Sequence, residues 1–238
     1  MKFTYSVCQL ATPNIDSFAK FSLASVLSYC REHGYHYAVQ RSLLDNQMHV
    51  NWTKIILLQE LLKTCQTDYV VLLDADALLI NQQLDLDYFV RLGGEDKHIL
   101  MPEDTTLFRK SRPNAGFIIV KNSEIGRAIV DLWIDAARGE GAHLADTHPR
   151  NQMIYWNYVQ PQFDEYQHII PLKFAVKYFW YTNLKKKERF LVHLTNSGTE
   201  KRSKAMGRLY HQCINDLEAL KLISGHLAVN EGLINIPS

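Results

Sequence analysis

Val70-Val71-Leu72-Leu73-Asp74-Ala75-Asp76-Ala77-Leu78 decides how this chain is read. An apolar, β-branched-rich run stops abruptly at two acids spaced i, i+2. A short apolar run between polar signals reads as a strand buried on both faces, in the middle of an α/β sheet. Carboxylates at its carboxyl end stand where open α/β sheets bind ligands. Two acids so close repel each other unless a cation lies between them. Oxygen ligands that leave room for water and phosphate suit Mg²⁺ or Mn²⁺. The stretch therefore points to a metal–diphosphate site. The plainer alternative makes Asp74 and Asp76 turn formers or a helix N-cap.

Outward from this stretch, Phe3–Gln9 reads as a first strand, followed by a turn at Ala11-Thr12-Pro13-Asn14. Ile15, Phe18, Ala19, Ser22, Val26 and Tyr29 then fall at helical spacing, and Gly34 closes that helix. Tyr35–Gln40 is a short second strand. Trp52, Ile55, Ile56, Leu58, Leu61 and Leu62 make a second amphipathic helix. This alternation predicts an α/β protein with a Rossmann-like, mostly parallel sheet.

Beyond Asp76, His98–Met101 and Gly116–Val120 are further strands. Asn122 or Ser123 can cap a helix whose apolar face is Ile125, Ala128, Ile129, Leu132, Trp133 and Ala136. Gly139-Glu140-Gly141 ends that helix. A loop-rich region runs through Pro149 and Pro161, then a strand at Phe190–Leu194 and an amphipathic helix from about Tyr210 to Ser224. The last dozen residues carry no clear signal, and no linker separates two domains. The expectation is one domain over residues 1–238. Its nucleotide-binding half covers about 1–100, its acceptor- and metal-completing half about 101–210, and its terminal helix about 210–224.

Of 238 residues, 47% are apolar and 21% charged, which suits a soluble globular protein. No apolar run approaches the roughly 20 residues that span a bilayer. Met1-Lys2-Phe3-Thr4-Tyr5 has no signal-peptide h-region. These features lead us to expect a cytoplasmic protein without a transmembrane segment, any membrane contact being peripheral. Cys8, Cys30, Cys65 and Cys213 lack C-x-x-C spacing and read as reduced thiols. Charge is uneven: residues 171–238 hold 11 Lys/Arg against 5 Asp/Glu, leaving 15 against 20 for the first 170. Lys185-Lys186-Lys187 is either a solvated loop or a cationic rim for a diphosphate or an anionic membrane surface.

No Walker loop and no G-x-G-x-x-G follows the first strand, which disfavours mononucleotide kinases and dinucleotide dehydrogenases. A G-x-S-x-G elbow is also missing. So is the basic–aromatic stripe of a nucleic-acid binder. Polar residues at strand ends remain: Asp74/Asp76, Asn114-Ala115-Gly116, Asn151-Gln152 and His193. Each has a plain alternative, respectively turn formers, a turn, a helix start and a satisfied core histidine. A diphosphate-bound metal needs a ligand beyond two carboxylates, and imidazole suits Mn²⁺. Gly198, Lys201 and Arg202 follow His193 and could neutralise a leaving diphosphate.

The series W-x-K (Trp52, Lys54), L-L-D-A-D-A-L (Leu72–Leu78), N-A-G-F (Asn114–Phe117) with K-N-S (Lys121–Ser123), and V-H-L (Val192–Leu194) resembles the GT-A glycosyltransferases. The nearest group is the family of fungal and plant galactosyl-, mannosyl- and xylosyltransferases, with the related glycogenin/lipopolysaccharide galactosyltransferases. The resemblance spans roughly residues 3–202. It implies a Rossmann-like αβα sandwich with a mixed, mostly parallel central sheet. It also implies a nucleotide-diphosphate donor, UDP-linked by family preference, a Mn²⁺ or Mg²⁺ cofactor, a glycan acceptor and retention of configuration.

Site residues follow from the same resemblance. Asp74, Asp76 and His193 would hold the metal, Asp76 most firmly, with Asp74 divided between metal and ribose. Gln9, Ala11, Thr12, Lys54, Ala75, Ala115, Gly116, Gly198 and Lys201 would contact the donor. Asn114, Asn151 and Gln152 would serve the chemistry, Gln152 as an amide dipole beneath the reacting sugar in a front-face substitution. Two departures stand out: Asn151 replaces the family's common Asp before the glutamine, and the H-x-x-G-x-x-K run is stretched to His193…Gly198…Lys201.

Two other functions compete with this one. A nucleotidyltransferase making a nucleotide sugar shares the sheet and the metal, but needs a Gly-rich basic loop that Cys8–Pro13 does not provide. A non-catalytic sugar-binding domain gains nothing from clustered unpaired acids. Glu103-Asp104, His143–Pro149 and the Trp180-Tyr181 pair are candidates for the acceptor. The donor sugar, the acceptor and the oligomeric state stay open at this level.

Overall fold

The computed structural model describes residues 2–104, 112–177, 188–195, 198–229 and 232–237. Lys185–Lys187 and the Trp180-Tyr181 pair lie outside them. The larger sheet has seven strands in the order β10-β2-β1-β3-β6-β5-β7, mixed and mostly parallel. These are β1 (Tyr5–Leu10), β2 (His36–Gln40), β3 (Tyr69–Asp74), β5 (Ile99–Pro102), β6 (Phe117–Lys121), β7 (Gln167–Ile170) and β10 (Leu233–Ile236). A second sheet has the order β4-β9-β8, from Ala77–Leu79, Leu191–His193 and Ala175–Lys177. The chain divides into two compact units, each built from three segments.

The first unit comprises residues 1–6, 43–72 and 86–170. Its centre is the apolar run read from the sequence: Tyr69, Val70, Val71 and Leu72 are completely buried. β5 pairs antiparallel with β6, Ile99 opposite Val120, and parallel with β7, Leu100 opposite His168. α2 (Val50–Thr64) buries Trp52, Ile55 and Leu58. α4 (Glu124–Arg138) buries Ile129, Val130, Trp133 and Ile134. Ser123 is the N-cap expected for it, its hydroxyl accepting from Gly126 N at 3.1 Å. Gly126 is required there because a Cβ would lie 2.0 Å from the Lys121 carbonyl oxygen. The remaining helices are α3 (Leu86–Gly93), α5 (Asn151–Ile154) and α6 (Gln160–Phe163). A π-type turn at Tyr155–Val159 joins the last two, so part of the expected loop region is helical.

The second unit comprises residues 7–42, 73–85 and 171–238. α1 (Asp16–His33) buries Phe18, Ala19, Ser22, Leu23, Val26, Leu27 and Cys30. It ends where expected, at Gly34 with φ +72°, whose N–H returns to the Cys30 carbonyl. Arg41, 2% exposed, ties down the turn after β1: its guanidinium donates to the Ala11 carbonyl and forks onto Asp16 at 2.7 and 2.8 Å.

The single helix expected at 210–224 is instead two, α7 (Thr199–Cys213) and α8 (Leu217–Val229). Asn215 takes φ +55°, and Asp216 Oδ1 accepts from Ala219 N at 2.9 Å, starting the second helix. The silent C-terminal dozen contains β10, antiparallel to β2 with Ile234 opposite Val39. None of the four cysteines is in a disulfide. No helix among the described residues is long and apolar enough to cross a membrane.

Candidate functional site

The carboxylate pair keeps its predicted place. Asp74 is the last residue of β3, and Ala75-Asp76 form the turn into β4. β4 pairs antiparallel with β9, placing Ala77 opposite His193, and Leu194 N donates to the Asp76 carbonyl at 2.9 Å. That ladder brings together residues 117 positions apart. His193 Nε2 lies 2.9 Å from Asp76 Oδ1 and 3.6 Å from Asp74 Oδ2. One ligand atom from each of the three lies within 4.8 Å of the others. Two carboxylate oxygens of half-buried side chains and one imidazole nitrogen of the buried His193 form a donor set suited to a divalent cation such as Mn²⁺.

A buried polar network fixes the strand end beneath the pair. Gln9 is completely buried; its Nε2 donates to Ser22 Oγ at 2.8 Å and to the Asp74 carbonyl at 3.3 Å, while Tyr37 OH donates to its Oε1 at 2.6 Å. Ser22 Oγ in turn donates to the Ala77 carbonyl. The amide of Gln9, a residue expected to contact the donor, supports the Asp74–Ala77 backbone. Burial pushes the Tyr37 phenol up, keeping it a neutral donor. Ala11 is fully buried and Ala75 nearly so, leaving only backbone to offer. Thr12, half-buried, donates its hydroxyl to Asn14 Oδ1 at 2.6 Å.

The basic residues after His193 separate by helical phase. Gly198 is the N-cap of α7. Lys201 is exposed, whereas Arg202 turns inward, Nη1 lying 3.4 Å from Asp76 Oδ2. Sequence spacing favoured Lys201; the signal for Arg202 lay in the phase of a helix starting at Thr199.

A second cluster forms in the other unit. Lys54, buried in α2, donates from Nζ to the Ala115 carbonyl at 2.9 Å. Ala115 N donates to Gln152 Oε1 at 3.0 Å, and Gln152 Nε2 donates to Asp104 Oδ2 at 3.3 Å. Asp104, an acceptor candidate in the sequence, thus becomes the orienting partner of Gln152. Asn114 turns its Oδ1 back to Gly116 N at 2.9 Å, shaping the bend before β6. Asn151 is 3% exposed; its Nδ2 donates to the Asn51 carbonyl at 3.2 Å, and its own carbonyl accepts from Trp133 Nε1 at 2.8 Å. Through these bonds Asn151, a residue expected to serve the chemistry, anchors the start of α5.

Comparison with known proteins agrees with this architecture. Residues 8–106 match the galactosyl transferase GMA12/MNN10 family. The chain is 24% identical over 208 aligned residues to an alpha-1,2-galactosyltransferase of Schizosaccharomyces pombe, covering 68% of this chain and 51% of that protein. It thus spans about half the length of the curated relative it matches. A crystal structure of a glycosyltransferase involved in glycosylation of the major capsid of PBCV-1 superposes with a TM-score of 0.72 at 18% identity, over 86% of this chain and 99% of that one. The galactosyltransferase LgtC, in complex with donor and acceptor sugar analogues, superposes with a TM-score of 0.56 at 12% identity, over 92% and 99%. The chain therefore has the GT-A fold, and the resemblance drawn from its motifs is to the galactosyl/mannosyl transferase family.

Proposed function

We propose that this chain is a metal-dependent glycosyltransferase that moves a hexosyl group from a nucleotide-diphosphate donor, UDP-linked, to a glycan hydroxyl with retention of configuration. The observation that carries the proposal is the Asp74–Asp76–His193 cluster at the end of a buried strand. Those three residues would hold Mn²⁺ or Mg²⁺. A divalent cation so placed supplies charge neutralisation to a departing diphosphate.

The other cluster is assigned to the sugar. Gln152 has its amide fixed at both ends, Oε1 by Ala115 N and Nε2 by Asp104. A carbonyl oxygen has two lone pairs, so Oε1 retains one to stabilise positive charge at the glycosyl carbon. Lys54 holds the Ala115 carbonyl and so the rim that carries this geometry. A fixed neutral dipole fits front-face substitution better than a double displacement. The galactosyltransferase names among the similar proteins support a hexosyl donor.

The test incubates the protein with a panel of nucleotide sugars, Mn²⁺ and glycan acceptors. Acceptor-dependent release of a nucleoside diphosphate is expected. Pyrophosphate as the product, or no release from any donor, overturns the reading.

A further inference from the structure

Asp76 is engaged on both of its oxygens, and one partner is itself a cation. His193 Nε2 takes Oδ1 at 2.9 Å, while Arg202 Nη1 stands 3.4 Å from Oδ2. The arginine is seated rather than waving. Its side chain is only 20% exposed, and its guanidinium lies 4.8 Å from the centroid of the Phe18 ring on α1. α7 is pinned to α1 beside it by Ser203 Oγ, which donates to the Ser17 carbonyl at 2.7 Å. The guanidinium therefore reaches Asp76 through a fixed stem and a fixed helix.

We propose that Arg202 is the built-in counter-cation of the carboxylate pair: it holds Asp76 while the divalent ion is away and competes with that ion for the same oxygen. The proposal rests on the metal reading of Asp74, Asp76 and His193. A guanidinium stays charged across the whole accessible pH range, so it cannot yield by losing a proton. An arriving cation must either displace it from Oδ2 or bind beside it, and both oppose binding. Repulsion between a dication and a guanidinium a few ångströms apart in a partly buried site is on the order of one tenfold step in affinity, or more. Arg202 thereby lowers the affinity for metal alone and keeps two neighbouring acids from destabilising the metal-free protein.

The two effects have opposite signs, which separates this role from a merely structural one. Free Mn²⁺ is measured by its electron paramagnetic resonance signal while the full chain is titrated without nucleotide. Arg202→Gln is expected to bind Mn²⁺ about tenfold more tightly than wild type, to melt at a lower temperature without metal, and to gain more in melting temperature when Mn²⁺ is added. Arg202→Met keeps the aliphatic stem over Phe18 and serves as a second charge-free variant; the same tightening is expected. Arg202→Lys retains the charge and should stay within about threefold of wild type. If wild type binds Mn²⁺ and neither charge-free variant binds more tightly, the counter-cation role is overturned while the metal site stands. If wild type and variants all fail to bind Mn²⁺, the metal reading falls and takes this inference with it.

Discussion

The two polar clusters of this molecule are made of different materials. In one unit, Asp74, Asp76, His193 and Arg202 meet side chain to side chain, with charges within a few ångströms of one another. In the other, Lys54, Ala115, Gln152 and Asp104 form a chain of hydrogen bonds whose middle link is backbone, with the formal charges kept at its two ends. The first arrangement responds to ions, because moving a charge into it changes every pairwise energy. The second fixes the direction of one neutral amide and is nearly indifferent to ions. The sugar transfer proposed above calls for each behaviour, one for a leaving group that gains negative charge and one for a carbon that gains positive charge.

The sharpest way to break that contrast is Asp76→Asn. Activity should fall roughly a thousandfold, the several kcal/mol that a cation contributes to a developing anion, and Mn²⁺ binding should vanish while the melting temperature changes little. A variant with near-wild-type, Mn²⁺-dependent activity would end the metal assignment. Next comes Arg41→Ala, in the same unit but at a closed ion pair rather than an open cluster. Leaving Asp16 and the Ala11 carbonyl without their guanidinium should cost about 3 kcal/mol in urea unfolding. If Arg41→Ala destabilised no more than Asp76→Asn, the distinction between structural and functional ion clusters would collapse.

On the other side, Gln152→Ala should lower kcat about a hundredfold and leave Mn²⁺ affinity as it is. A shift in metal binding would show that the two clusters do not act separately. Smallest is Asp104→Asn, which removes the charge behind a single hydrogen bond to Gln152. About a tenfold loss in kcat is expected, near 1.4 kcal/mol. Once Gln152 is already Ala, the same substitution should add almost nothing, since Asp104 acts through that amide.

What the sequence made legible depended on how local the deciding interaction was. β3 and its acids were readable because a fully apolar run cut off by Asp-x-Asp states both burial and its end within nine residues. The Ser123 cap and the Gly34 stop are equally local. The supporting role of Gln9 is not local, because its partners, Ser22 and Tyr37, stand 13 and 28 positions away. The break between α7 and α8 did have a local signal, Asn215 followed by Asp216, but the apolar spacing on either side concealed it. Strand β10 alternates exposed and buried over only four residues, too few to show a period. Asp104 behind Gln152 is a contact across 48 positions, beyond the reach of any motif.

The pairing of β4 with β9 carries a consequence for how the protein reaches its native state. Closing a 117-residue loop to bring His193 onto Asp76 costs on the order of 4 kcal/mol of chain entropy. No shorter fragment of the chain offers that ligand set. During refolding, Mn²⁺ uptake at the proposed site should therefore lag the appearance of helix and mark the completion of this unit, so that the ion serves as a clock for its last long-range contact.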